Sequence, residues 1–188
     1  MNVFISGTGR CGTTTFSKAC QHLDNYTSGH ETRVSLLGSN RIRYANNHIE
    51  CDPRLTWYLP QLAFQYPDSF YVHLRRNEEA TIKSLVRKEM VAKKLGQLGL
   101  LHGWAMAINM RHSKVVINYD ELMLAVIAKD YVNCVNTIID TFFKSGVDNM
   151  IINLENIKQD FPLFLDKIGA KGNLAKAIDE WNMRHNAG

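Results

Sequence analysis

A short apolar run, NVFI, leads directly into SGTGRCGTTTF, Ser6 to Phe16, with glycines at Gly7, Gly9 and Gly12. Behind it, Phe16, Ala19, Cys20 and Leu23 fall at i, i+3, i+4 and i+7, the spacing of a helix with one buried face. Strand, glycine loop and helix together make the opening unit of an α/β fold. Glycines let backbone amides converge on one point, and the helix N-terminus adds its positive end, so an anion is favoured there without any side-chain charge. From Gly7 to Thr14 the spacing is that of a phosphate-binding loop, except that Thr13 stands where a nucleotide hydrolase needs lysine. The chain therefore predicts an anion site whose usual cation is missing.

The remaining pattern supports the same fold class. SFYVHL (Ser69 to Leu74), KVVINY (Lys114 to Tyr119) and NMIIN read as further strands. Helices are expected over Glu78 to Lys94, over a long amphipathic stretch from Leu122 to Phe143 that ends near Gly146, over Ile157 to Ile168 despite Pro162, and over Leu174 to Arg184. Strands alternating with helices predict a three-layer α/β P-loop fold, a central, mainly parallel sheet flanked by helices. No repeat, low-complexity tract or linker divides the chain, so one domain over residues 1–188 is expected. Ligands of such sheets bind beyond the carboxyl ends of the strands, where the opening loop lies.

Composition narrows the function. Four cysteines, Cys11, Cys20, Cys51 and Cys134, form no CxxC pair, which argues against a zinc module or a disulfide framework and favours a reducing, cytoplasmic setting. The seven histidines show no ligand spacing, so no metal is expected. A net charge of +4 without a massed basic block does not imply nucleic acid and is met by an anionic small molecule. No apolar run reads as a membrane span, so no membrane partner is expected.

Arg10 lies inside the loop, two residues before Gly12, with a permanently charged planar head suited to phosphate or sulfate oxygens. Cys11 beside it reads either as a reactive thiol or as a small side chain turned inward. RCGTT, Arg10 to Thr14, resembles the loop of phosphosulfate-dependent sulfotransferases, whose basic residue contacts the transferring sulfuryl group. The resemblance implies that Gly9, Arg10, Cys11, Gly12, Thr13 and Thr14 bind the 5'-phosphosulfate of 3'-phosphoadenosine-5'-phosphosulfate, with no metal. It also explains why lysine is absent. In FYVHLRRNEEATIKSLVRK the same family's second signature is matched: Arg76 at a strand end and Ser84 eight residues later would hold the donor's 3'-phosphate, with Arg75 a competitor. GHETR, Gly29 to Arg33, is similar to a segment of tyrosyl-protein sulfotransferases, which implies Glu31 as base and Arg33 as a binding residue. A base is chemically required, since an attacking hydroxyl must lose its proton. Without that resemblance, Glu31 and Arg33 read as a surface ion pair.

GWAMAI followed by VVINYDEL is similar to a helix, strand and corner of many sulfotransferases. Asp120 within it is open to two readings, a helix cap or a metal-holding aspartate of a kinase. The K-G-x-x-G-D-W donor segment of the cytosolic enzymes has no convincing counterpart; GAKGN, Gly169 to Asn173, is at best a remnant. In HIECDPRLTW, alternation puts Glu50, Asp52 and Arg54 on one face if the stretch is a strand, where they would line an acceptor pocket or let Glu50 replace Glu31. Alternatively, Asp52 before Pro53 begins a helix. The expected activity is sulfuryl transfer to a hydroxyl of a protein tyrosine, a carbohydrate or a small molecule. A small-molecule kinase using ATP and magnesium and a non-catalytic nucleotide-binding module are the alternatives.

Overall fold

A computed structural model of the chain describes residues 1–108, 119–183 and 185. Its centre is a five-stranded sheet of β1 (Val3–Ser6), β2 (Thr27–His30), β3 (His48–Cys51), β4 (Phe70–Arg75) and β5 (Asn149–Asn153) in the order β2-β3-β1-β4-β5. Every pairing is parallel, with Ile5 opposite Val72 on one side and Cys51 on the other. Helices cover both faces, so the fold is the expected three-layer α/β arrangement. The expected KVVINY strand lies outside the described residues, apart from Tyr119.

The two cores follow from strand alternation. Val3, Ile5, Phe70, Val72 and Leu74 face α1 (Thr13–Cys20), α6 (Ile157–Lys167) and α7 (Leu174–Asp179). There Phe16 meets Phe164 and Phe161 edge-on, with ring centroids 4.9 and 5.3 Å apart, the arrangement aromatic rings prefer. Phe4 and Tyr71 point the other way, toward α2 (Leu59–Gln65), α3 (Glu78–Lys94), α4 (Leu100–Ile108) and α5 (Glu121–Phe143). Because both sheet faces are buried, the central strands β1 and β4 read as continuous apolar runs. That is why they were visible in the sequence.

Helix α3 begins and ends as expected because its ends are chemically marked. Asn77 accepts a hydrogen bond from the Ala80 amide, Glu78 and Glu79 occupy the first turn, and Lys93 and Lys94 the last. Helix α6 runs through Pro162. Beyond α7, Glu180 to Asn182 form a short 3-10 turn. Helix α5, at 23 residues and a mean hydropathy of 1.4 over 18 of them, is long and apolar enough by those measures to cross a membrane, which the sequence reading overlooked. Its inner side, including Leu124, Ala128, Val132, Val135 and Ile139, is fully packed against the second core.

Strand β2 was not expected, and β3 is the first part of a stretch for which a strand was one of two readings. TSGH and HIEC contain one branched apolar residue between them, and β2 lies at the sheet edge with partly open faces. Backbone pairing, β3 to β1 and β2 to β3, rather than apolar patterning, defines them. After Cys51 the chain bends into a 3-10 helix, Pro53–Tyr58, with the Asp52 carboxylate accepting from the Arg54 amide at 2.8 Å. The helix-cap reading of Asp52 therefore holds, and the alternation that would have aligned Glu50, Asp52 and Arg54 ends there.

Candidate functional site

At the carboxyl ends of the strands lies a cleft of about 900 Å³. Its floor is the opening loop. Gly12 has φ 100°, a left-handed conformation that a side chain would resist, and it precedes α1 with no side-chain cap on the first turn. Gly7 is needed for a different reason, since a Cβ there would meet the Leu74 carbonyl oxygen at 2.5 Å. The loop thus sits tight on β4 and presents the start of α1 to the cleft.

The residues predicted to act on the anion arrive from distant parts of the chain. Arg10 Nε donates to Ser84 Oγ at 3.0 Å, and Arg76 Nη1 donates to the Arg10 carbonyl at 2.9 Å. Arg10, Gly9, Gly12, Thr13, Thr14, Arg76 and Ser84 all line the cleft. Arg75, the competitor, is turned away: it pairs with Asp140 and donates through Nε to His73 Nδ1 at 3.2 Å. Arg87 and Lys88, one turn beyond Ser84 on α3, extend the cationic wall. Arginine and lysine outnumber carboxylates around the cleft, so its field suits an anionic ligand.

Cys11 is not part of the lining. Its thiol is buried, and burial pushes its pKa up to about 11, against the opposing pull of the loop's backbone hydrogen bonds. Of the two readings for this residue, the inward-turned side chain is the one observed. Any contribution to an anion would come from its backbone.

Glu31 enters the same cleft directly after β2, with φ 53°. Its amide donates to the Cys51 carbonyl at 3.2 Å, and its carboxylate pairs with Arg54 Nη1 at 2.8 Å. Arg33 does not line the cleft. The turn after Glu31 carries it away, so that Nη1 donates to the Asn40 carbonyl at 3.2 Å and the guanidinium lies 5.4 Å from the Tyr44 ring centroid. The guanidinium beside Glu31 is that of Arg54, two positions beyond the Asp52 cap.

Glu50 is not among the residues lining the cleft. It is 0% exposed, and its two oxygens accept from the Thr32 amide at 2.8 Å, the Thr32 hydroxyl at 2.5 Å and His48 Nε2 at 2.9 Å. Burial by itself would raise its pKa; the bonds from His48 and Thr32 outweigh that and hold it below the ordinary glutamate value. Such a carboxylate is a weaker base. Glu50 instead pins the Thr32 corner that follows Glu31.

Sequence reasoning missed His30. Along β2, Ser28 and His30 point toward α1: Ser28 Oγ donates to the Ser17 carbonyl at 3.0 Å, and His30 Nε2 lies 3.1 Å from Thr13 Oγ1 and 3.3 Å from Thr14 Oγ1. Period-two alternation would have found it, had TSGH been recognised as a strand. Arg41 was also missed. It is buried, pairs with Asp52, and so fixes the bend that delivers Arg54. GAKGN serves structure at the opposite end of α1, where the Lys171 carbonyl accepts from the Asp24 amide at 2.7 Å and the Asn173 amide donates to the His22 carbonyl at 2.9 Å. Asp120 caps α5, accepting from the Met123 amide at 2.8 Å, and is not among the cleft-lining residues.

A five-stranded parallel sheet whose glycine loop and cationic cleft sit at the strand ends defines a P-loop-like α/β protein. In solved structures, this fold is similar to a sulfotransferase domain from the curacin biosynthetic pathway, with a TM-score of 0.58 over 98% of this chain and 75% of that one, at 13% sequence identity. The chain thus has a sulfotransferase-like fold. No protein-family model matches the sequence, and no curated protein matches it either.

Proposed function

We propose that the protein is a sulfotransferase, moving a sulfuryl group from 3'-phosphoadenosine-5'-phosphosulfate to a hydroxyl acceptor. The observation that carries this reading is the convergence of Arg10, Ser84 and Arg76. Two motif halves separated by 74 and 66 residues in the chain meet through bonds of 3.0 and 2.9 Å at one cleft. A nucleotide with phosphate on both the 5' and 3' sides has a use for both halves. ATP has no 3'-phosphate to offer Arg76 and Ser84.

In this reading the loop amides, Thr13 and Thr14 hold the 5'-phosphosulfate. The acceptor oxygen attacks sulfur in line as the bond from sulfur to the phosphate oxygen breaks, and the electron pair leaves on the phosphate. Arg10 and the start of α1 stabilise that developing charge. Glu31 takes the acceptor's proton, so sulfate ester, bisphosphate nucleotide and a protonated carboxyl balance the step. Arg54 keeps the Glu31 carboxylate in place. Fold similarity to a known sulfotransferase domain supports this reading, and the use of Asp120 as a helix cap weakens the kinase alternative.

Calorimetry with adenosine 3',5'-bisphosphate, ADP and ATP with magnesium tests it. The wild type should bind the bisphosphate most tightly, and Arg76→Ala should weaken that binding roughly 10- to 100-fold while changing ADP far less, as expected for loss of a charged hydrogen-bonding partner. A preference for ATP with magnesium would move the assignment to a kinase. Tight bisphosphate binding with no sulfated product from a panel of phenols, sugars and tyrosine peptides would make the protein a binding module.

A further inference from the structure

His30 is the last residue of β2, lines the cleft, and places Nε2 within hydrogen-bond reach of the Thr13 hydroxyl at 3.1 Å. Thr13 is only 5% exposed and occupies the loop position where lysine would stand. A threonine hydroxyl has one proton and two lone pairs. If Nε2 carries no hydrogen, the Thr13 proton is spent on the imidazole and the hydroxyl turns only lone pairs toward the cleft. An anion would then face an acceptor. If Nε2 carries hydrogen, it donates to Thr13 Oγ1, and the threonine proton is released toward the anion.

We propose that His30 is a positioning residue of the anion cradle: its Nε2–H donates to the Thr13 hydroxyl and thereby aims that hydroxyl's proton at the bound phosphate or phosphosulfate group. The histidine acts through the threonine and replaces one function of the absent lysine, supplying a donor from a neighbouring strand. Its contact with Thr14 Oγ1 at 3.3 Å keeps the ring centred over the first turn of α1. In naming the phosphosulfate donor, the inference rests on the sulfotransferase reading. The proton geometry itself asks only for a tetrahedral oxyanion.

The test compares His30→Leu, which keeps bulk and removes the donor, with His30→Gln, whose amide NH₂ reaches about as far as Nε2. Adenosine 3',5'-bisphosphate is the probe, followed by calorimetry, with ATP and magnesium as a second probe. Loss of a hydrogen bond that orients a donor toward a charged group should weaken binding roughly tenfold in His30→Leu, while His30→Gln stays within about threefold of wild type. Leucine binding as tightly as wild type, or glutamine as weakly as leucine, overturns the proposal. In a double-mutant cycle, His30→Leu and Thr13→Val should be non-additive, and additive losses overturn it too. If only ATP binds the wild type, the sulfotransfer reading fails while the same His30 ratios, measured with ATP, still decide this proposal; binding of neither nucleotide overturns both. Should the variants fail to fold, ¹⁵N NMR of the wild-type imidazole with bisphosphate bound decides the matter. A hydrogen on Nε2 is expected, and a bare Nε2 refutes it.

Discussion

Replacing Glu50 by glutamine separates a structural carboxylate from Glu31, the proposed base. The native side chain accepts three hydrogen bonds in a fully buried site. Bonds to a charged group contribute about 1.5–3 kcal/mol each, against about 0.5–1.5 for neutral ones, so loss of the charge removes about 1 kcal/mol per bond when Thr32 Oγ1 and His48 Nε2 turn to accept from the new amide NH₂. Cheaper burial of a neutral amide offsets part of this. A net loss of about 2–3 kcal/mol is expected, a fall in Tm of about 4–12 °C for a chain of this size. Urea unfolding followed by circular dichroism measures it. Glu31→Gln is the control: its ion pair with Arg54 is substantially exposed, so stability should change by less than about 1 kcal/mol while sulfuryl transfer is lost. Stability in wild-type Glu50 also has a pH signature. Its folded pKa lies below the ordinary value of 4.5, so its contribution is present above that value and disappears as pH falls through the folded pKa; Glu50→Gln should flatten this part of the acid limb. A Glu50→Gln protein with wild-type stability and no turnover would refute the assignment and make Glu50 the base.

Three further outcomes are expected. Arg54→Ala should leave unfolding free energy within about 1 kcal/mol of wild type yet lower the transfer rate at least roughly tenfold, and an unchanged rate would reduce the Arg54–Glu31 pair to a surface contact. Cys11, buried and with its pKa pushed up to about 11, should resist iodoacetamide at pH 8 in the folded protein and react on unfolding, as read by mass spectrometry; rapid modification of native protein would contradict the inward-turned thiol. Gly7→Ala should cost on the order of 1–3 kcal/mol and weaken bisphosphate binding, because the added carbon must push the loop off the Leu74 carbonyl 2.5 Å away. Unaltered affinity would show that the loop tolerates the shift.

What could be read from the sequence followed burial and local chemistry. β1, β4, β5, α3 and α6 were legible because apolar periodicity or end signals marked them, whereas Arg76 and Ser84 were singled out by resemblance to a family signature around the start of α3. β2 was not, and β3 entered only as one of two readings, since four-residue strands at or near a sheet edge need little apolar content and owe their conformation to the neighbouring backbone. The cost fell on the site. Without β2 there was no reason to aim His30 at α1, and without the bend after Cys51 Arg54 shared a face with Glu50 and Asp52. Arg33 was drawn into the site by local resemblance, while the turn that removes it is set by long-range bonds donated by Thr32 to the Glu50 carboxylate, 18 residues away. Arg41 carries no pattern at all, as only its tertiary partners, Asp52 with Tyr44 and the Tyr58 ring, explain an arginine that is 3% exposed.

Arg10 and Glu31 share a backbone property as well as a cleft. Together with Asn47 they are the non-glycine residues with positive φ among those described, at 58° and 53°. For an ordinary side chain that conformation costs roughly 1–2 kcal/mol, and glycine would remove most of the penalty. A laboratory selection that rewarded only thermal stability would therefore press on these two positions first, exchanging each for glycine or asparagine. The sturdier protein it returned would keep the sheet, the loop and the cleft, and would have lost the cation and the carboxylate on which the proposed transfer depends.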